Sequence, residues 1–260
     1  MYLPQIDGPV IVAADLHGAY EQLRTLLDFL VAHGLHEGRH LIFLGDFCDV
    51  GPDTASTIDL LLAFQKKHAE VTFLSGNHDL NLAIALGLVT NRYQTYYQAR
   101  IPTRNALTLA SYGATSAAEL AEMMPAAHKD FLANLPWAVE HPDYLFVHAG
   151  LDPNEPYADQ LAKLRQRDST AFKPKWLYSE RLAFCDPPPD TNKTVVSGHV
   201  ILRKPYLEDR RILLDPGAGY GGPLTAILLP ERLLIQVLPH SDRTKEGKGG
   251  MTHAVPSRNP

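Results

Sequence analysis

Six short motifs of carboxylate, amide and imidazole side chains stand at the ends of apolar runs. They are Asp15-Leu16-His17-Gly18, Gly45-Asp46-Phe47-Cys48-Asp49, Gly76-Asn77-His78-Asp79, His148-Ala149-Gly150, Gly198-His199 and Asp215-Pro216-Gly217-Ala218. Such donors, with no cysteine cluster among them, suit divalent manganese, iron or zinc. Asp15, His17 and Asp46 make one ligand set, and Asn77, His148 and His199 a second, with the Asp46 carboxylate bridging the two. Two ions held in this way bring the pKa of a shared water toward neutrality, which suits hydrolysis of a phosphate ester. Asp49 and His78 are not needed as ligands, and an imidazole oriented by a carboxylate is the arrangement of a general acid. Taken singly, each motif reads as an ordinary turn or helix cap, and His148 as a core histidine. Metal-competent side chains at five strand ends in one chain are not what unrelated turns supply.

The elements that must position these groups follow from the apolar pattern. Residues 10–14, 41–44, 71–74, 144–147 and 195–196 are short apolar runs that read as buried strands. The motifs therefore fall at strand C-termini, where open α/β sheets build ligand sites. Residues 19–32 and 53–68 carry apolar side chains at helical spacing, which gives a βαβαβ rhythm and a right-handed parallel core. Residues 80–135 break that rhythm with a helical insert that contains the capping-box pattern Ser116-Ala117-Ala118-Glu119. Taken alone the insert reads as core packing, but Arg92, Arg100 and Arg104 make it a candidate phosphate-facing wall. Segments 211–214, 224–229 and 233–238 read as strands of a second sheet, and polar, aperiodic 241–260 as a disordered tail.

The motifs resemble the calcineurin-like metallophosphoesterases, and within them the bacterial branch of the phosphoprotein phosphatases, whose pattern is D-x-H-G, G-D-x-x-D-R-G, G-N-H-[DE], H-[AG]-G and G-H. All five occur here in order, and the likeness extends to Thr108-Leu109-Ala110-Ser111-Tyr112-Gly113 and to the segment from Asp215 to Thr225. The resemblance implies a four-layer α/β/β/α sandwich with a dinuclear centre, preferably of manganese. It also implies that Tyr220 contacts substrate and that the substrate is a phosphomonoester. The preferred reading is accordingly a serine/threonine or dual-specificity protein phosphatase. Two departures stand out: Val50 and Tyr178 occupy the places of the family's phosphate-clamping arginines, and Arg181 and Arg203 are the nearest replacements. The dinucleoside-polyphosphate and nucleotide hydrolases of the same family form the enzymatic alternative. Asp49 and Val50 favour the phosphatases, since those hydrolases typically keep the arginine of the second motif and lose its second Asp, the reverse of this chain. A phosphate-binding pseudophosphatase is a third reading, opposed by the complete ligand set.

The 260 residues, 45% hydrophobic, suffice for one catalytic domain over 1–240. A net charge of −5 disfavours nucleic acid as partner. Two cysteines, Cys48 and Cys185, without a disulfide framework point to the cytoplasm, and the short apolar runs exclude a membrane-spanning helix.

Overall fold

The computed structural model describes residues 3–239. Strand β1 (Val10–Ala13) is buried on both faces. Its Ile11 and Ala13 pack with helix residues, whereas Val10 and Val12 join a separate apolar layer, following the two-residue alternation of a strand. Two parallel neighbours, β2 (His40–Phe43) and β3 (Val71–Phe73), extend the sheet. The crossovers are helices α1 (Tyr20–Ala32) and α2 (Thr54–Lys67). Leu23, Leu26, Leu27 and Leu30 on α1 recur at the spacing of one helical face and are buried. The helix gives way to Gly34 at φ +63°, where a residue without Cβ is favoured.

The stretch between β3 and the second sheet is helical, as its pattern implies. It runs through α3 (Asn77–Ala85), α4 (Gln94–Gln98), α5 (Ile101–Arg104), α6 (Ala106–Ser111), α7 (Ala117–Met123) and α8 (Ala126–Asn134). Ser116 caps α7 by accepting from Glu119 N at 3.2 Å. The Glu119 carboxylate accepts from Thr115 N and Oγ1 instead of closing the box.

The second sheet contains β4 (Ala138–Glu140), β5 (Tyr144–Val147), β6 (Thr194–Ser197), β7 (Tyr206–Leu207) and β8 (Arg211–Leu213), in the order β4-β5-β6-β8-β7. Helices α9 (Tyr157–Gln166), α10 (Lys175–Tyr178) and α11 (Glu180–Ala183) lie in the β5–β6 connection. The expectation for the last two strands needs correction. β9 (Leu224–Leu229) and β10 (Leu233–Val237) belong to the first sheet, in the order β10-β9-β1-β2-β3, with Val10 opposite Leu229 and Ala13 opposite Ala226. Without β9, one edge of β1 would leave its backbone groups unpaired in the core. Every residue of β9 is buried: Ile227 and Leu229 face the second sheet, and Leu224, Ala226 and Leu228 the helices.

Val12, Ile42 and Ile227 of the first sheet and Val139, Phe146, Val196 and Ile212 of the second share one apolar layer, with the helices outside. The architecture is thus the α/β/β/α sandwich implied by the sequence. The expected tail over 241–260 lies outside the described residues.

Candidate dinuclear metal site

The C-terminal ends of β1, β2, β3, β5 and β6 converge and bring the predicted ligands together. His17, Asp46 and His78 each offer a ligand atom within 4.8 Å of one another, and so do Asp46, His148 and His199. Asp46 is common to both groups, as expected of a bridging carboxylate. Asn77 Oδ1 joins the second group, 3.2 Å from His148 Nε2. His78 stands beside His17 and Asp46, and Asp15, the expected third ligand of the first ion, accepts at Oδ2 from the backbone N–H of His199 at 3.0 Å.

Hydrogen bonds behind the imidazoles fix which nitrogen faces the cluster. His17 Nδ1 donates to the Cys48 carbonyl and His148 Nδ1 to that of Leu44, each at 2.9 Å, which turns both Nε2 atoms inward. His199 Nε2 is buried and, among the described residues, has no hydrogen-bond partner. Burial also pushes its pKa down, to about 4, so the ring is neutral and ready to donate its lone pair to a cation. Burial lowers the pKa of His148 as well, but Asp46 and Asp15 outweigh it and hold the group at about 10. A site that binds a proton this firmly through its carboxylates favours a divalent cation in the proton's place. The residues present therefore fit two ions.

Main-chain strain is concentrated here. His17, Asp46, Asp49, Val50 and His199 all adopt positive φ, between 47° and 69°. Such conformations cost roughly 1–3 kcal/mol each and persist where the surroundings enforce them. The enforcement is visible at Gly76 and Gly198. A Cβ on Gly76 would lie 2.0 Å from Asp46 Oδ1, and one on Gly198 would lie 1.9 Å from Asp15 Oδ1. Asp79 supplies the rest, for its buried carboxylate accepts from the backbone N–H groups of Gly76 (2.9 Å), Asp46 (2.7 Å) and Phe47 (2.8 Å).

His78 Nδ1 donates to Asp49 Oδ2 at 2.7 Å. Burial opposes its protonation, but Asp46 and Asp49 prevail and raise its pKa to about 9. His78 consequently carries a proton at neutral pH in the metal-free protein. The other oxygen of Asp49 accepts from Asn105 Nδ2 at 2.5 Å and Thr108 Oγ1 at 2.9 Å, and Thr108 also accepts from Asp49 N. Neither Asn105 nor Thr108 is legible as a site residue from composition or period. The only sequence signal is that Thr108 opens a segment similar to bacterial phosphatases. Arg211 was also missed: it is fully buried and donates to the carbonyls of Ala149, Val195 and Ala183. Those bonds tie together the ends of the strands that carry His148 and His199.

A family model described as calcineurin-like phosphoesterase matches residues 8–222. The chain is a calcineurin-like phosphoesterase. It is 26% identical over 240 residues to the asymmetrical bis(5'-nucleosyl)-tetraphosphatase PrpE of Halalkalibacterium halodurans, covering 85% of this chain and 89% of that one. Serine/threonine-protein phosphatase PP1-delta of Caenorhabditis elegans is 36% identical over 78 residues, 30% of this chain and 25% of its own length. A solved structure assigned as a diadenosine tetraphosphatase superposes with TM-score 0.61 at 24% identity, covering 93% of this chain and all of that one. Membership brings a dinuclear divalent metal centre, and this phosphoesterase has the donor groups for it.

The predicted substrate residues each have their own surroundings. Tyr220 is 57% exposed, with its ring edge-on to His17 at 5.5 Å between centroids. Arg181 Nη2 lies 3.8 Å from Asp152 Oδ2, and Arg203 is exposed four residues beyond His199. Tyr178 is turned to Asn81, donating to its Oδ1 at 2.6 Å. Among the described residues, no helix is long and apolar enough to cross a membrane.

Proposed function

We propose that this phosphoesterase hydrolyses dinucleoside polyphosphates, with residues 1–240 acting as one catalytic unit in the cytoplasm. This reverses the preference for a protein phosphatase. The observation that carries the reading is the neutral Tyr178 where the phosphatases place a clamping arginine, in a site with the exposed Tyr220 ring beside His17; Val50 departs from both classes. A terminal phosphomonoester is a dianion gripped by guanidinium forks. An internal phosphoryl group of a polyphosphate carries less charge and can be anchored through its flanking groups, including a base that stacks on an aromatic rim. Likeness to a tetraphosphatase over 85% of the chain, against 30% for the protein phosphatase, supports the same choice.

Asp15, His17, Asp46, Asn77, His148 and His199 are the residues to hold the ions, preferably manganese, with iron or zinc compatible with the same donors. Bound ions supply an activated water and neutralise phosphoryl charge. Asp49 orients His78, which donates its proton to the leaving oxygen, and Arg203 and Arg181 are candidate cations for the outer phosphates. The Asp49–His78 bond at 2.7 Å also serves an alkoxide leaving group, so a phosphoserine, phosphothreonine or phosphotyrosine substrate is the second reading. Turnover of metal-loaded protein on diadenosine tetraphosphate, an aryl phosphate and phosphopeptides tests the choice. The first should give the highest kcat/KM, and preference for phosphopeptides would reinstate the phosphatase.

A further inference from the structure

Beyond the metal cluster, α4 and the loop before α10 carry an aromatic and basic patch. Phe172 lies 4.8 Å from the Tyr93 ring and 5.6 Å from Tyr96, and Tyr96 packs edge-on to Tyr97 at 5.2 Å. Phe172 and Tyr96 remain 45% and 39% exposed. Arg92 sits over Tyr93 at 4.8 Å, Arg100 over Tyr96 at 5.1 Å and Lys173 over Phe172 at 5.5 Å. Among the described residues these three cations form no ion pair with a carboxylate, unlike Arg24, Arg39, Lys163, Arg165, Lys175 and Arg181. The patch is built rather than incidental. Asn91 donates to the Ser169 carbonyl and Ser169 Oγ to that of Thr90, stitching the loop to the insert, and Lys173 is held at φ +51°.

Buried side-chain contacts link the base of the patch to the helix that carries Asn77. The Tyr97 hydroxyl is buried beside that of Tyr178, which bonds to Asn81, one helical turn along α3 from Asn77. Partly exposed aromatic rings with cations stacked on them complement a ligand that is both π-faced and polyanionic, since bases stack on aromatic rings and phosphates pair with guanidinium and ammonium groups.

We infer that this patch is the subsite for the second nucleoside end of a dinucleoside polyphosphate, its rings taking the base and its cations the distal phosphates; this rests on the substrate class proposed above. The test uses full-length, metal-loaded protein and the variants Tyr96→Ala/Phe172→Ala and Arg100→Gln. The readouts are kcat/KM for diadenosine tetraphosphate relative to an aryl phosphate, and equilibrium binding of ATP and of tripolyphosphate. For the aromatic double variant the ratio should fall about tenfold, through KM, as loss of a stacking contact predicts. ATP should bind correspondingly more weakly to it, and tripolyphosphate should weaken only with Arg100→Gln. An unchanged ratio in an enzyme that does cleave the dinucleotide would overturn the subsite and leave the function standing. If wild-type protein does not cleave the dinucleotide, the proposed function fails, and the ATP arm then decides: unaltered ATP affinity in the double variant removes the patch as a nucleotide site as well.

Discussion

Replacing Asn105 by Ala should weaken proton donation without disturbing the metals. Asn105 Nδ2 is 2.5 Å from Asp49 Oδ1, and both residues are buried. A hydrogen bond to a charged group is worth about 1.5–3 kcal/mol, which corresponds to roughly 10- to 150-fold in a rate if the whole of it is spent on orienting Asp49 against His78. Thr108 still holds the same oxygen at 2.9 Å, so the loss should lie near the lower end, about tenfold, on an alkyl phosphate whose leaving oxygen needs a proton. The assay is a series of phosphate esters of rising leaving-group pKa, with metal content measured on the same samples. The dependence on leaving group should steepen while occupancy holds. Combined with Asp49→Asn, the Asn105→Ala effect should largely vanish, because both act through one carboxylate. Equal losses on alkyl and aryl esters, or additive effects in the double variant, would refute the positioning argument. Thr108→Val is the useful contrast. It also strands the Asp49 N–H, so it should cost stability, about 2–4 kcal/mol in a denaturant titration, as well as turnover.

Replacing His78 by Ala should lower turnover of alkyl phosphates by roughly 10²–10⁴ and cost less on diadenosine tetraphosphate, whose leaving nucleotide is a weaker base; equal losses would remove His78 from the general-acid role. Substituting Val50 by Arg should raise kcat/KM for aryl phosphate relative to diadenosine tetraphosphate, since it offers a guanidinium to a dianion, and an unchanged ratio would show that Val50 does not face the phosphoryl group. In metal-free protein, His148 and His78 have folded pKa values of about 10 and about 9, raised from 6.5, so their stabilisation is full below pH 6.5 and lost as the pH rises through 9 to 10. The thermal midpoint should fall over that window, less so in His148→Gln or with metal bound, and a flat wild-type profile would contradict the assignment.

Strand-end chemistry was legible because it is local. A carboxylate or imidazole directly after an apolar run must emerge at the end of a buried strand, so Asp15, His17, Asp46, Asn77, His148 and His199 could be gathered before any fold was known, and the helical periods of α1 and α2 fixed the parallel core between them. Strand pairing was not legible in the same way. Nothing near Leu224–Leu229 distinguishes the neighbours of β8 from β1, and only the need to cover the open edge of β1 sends that hairpin back to the first sheet.

The supports behind the candidate ligands were decided by tertiary structure. Asn105 and Thr108 reach Asp49 from 56 and 59 residues away, and Arg211 reaches Ala149 from 62. Composition gives no reason for a buried arginine among carbonyls or an amide behind a carboxylate. Residue type determines what a side chain can donate or accept. Which partner stands within three ångströms of it is set by sheet order and helix packing, because hydrogen bonds act over that distance in space whatever the separation along the chain.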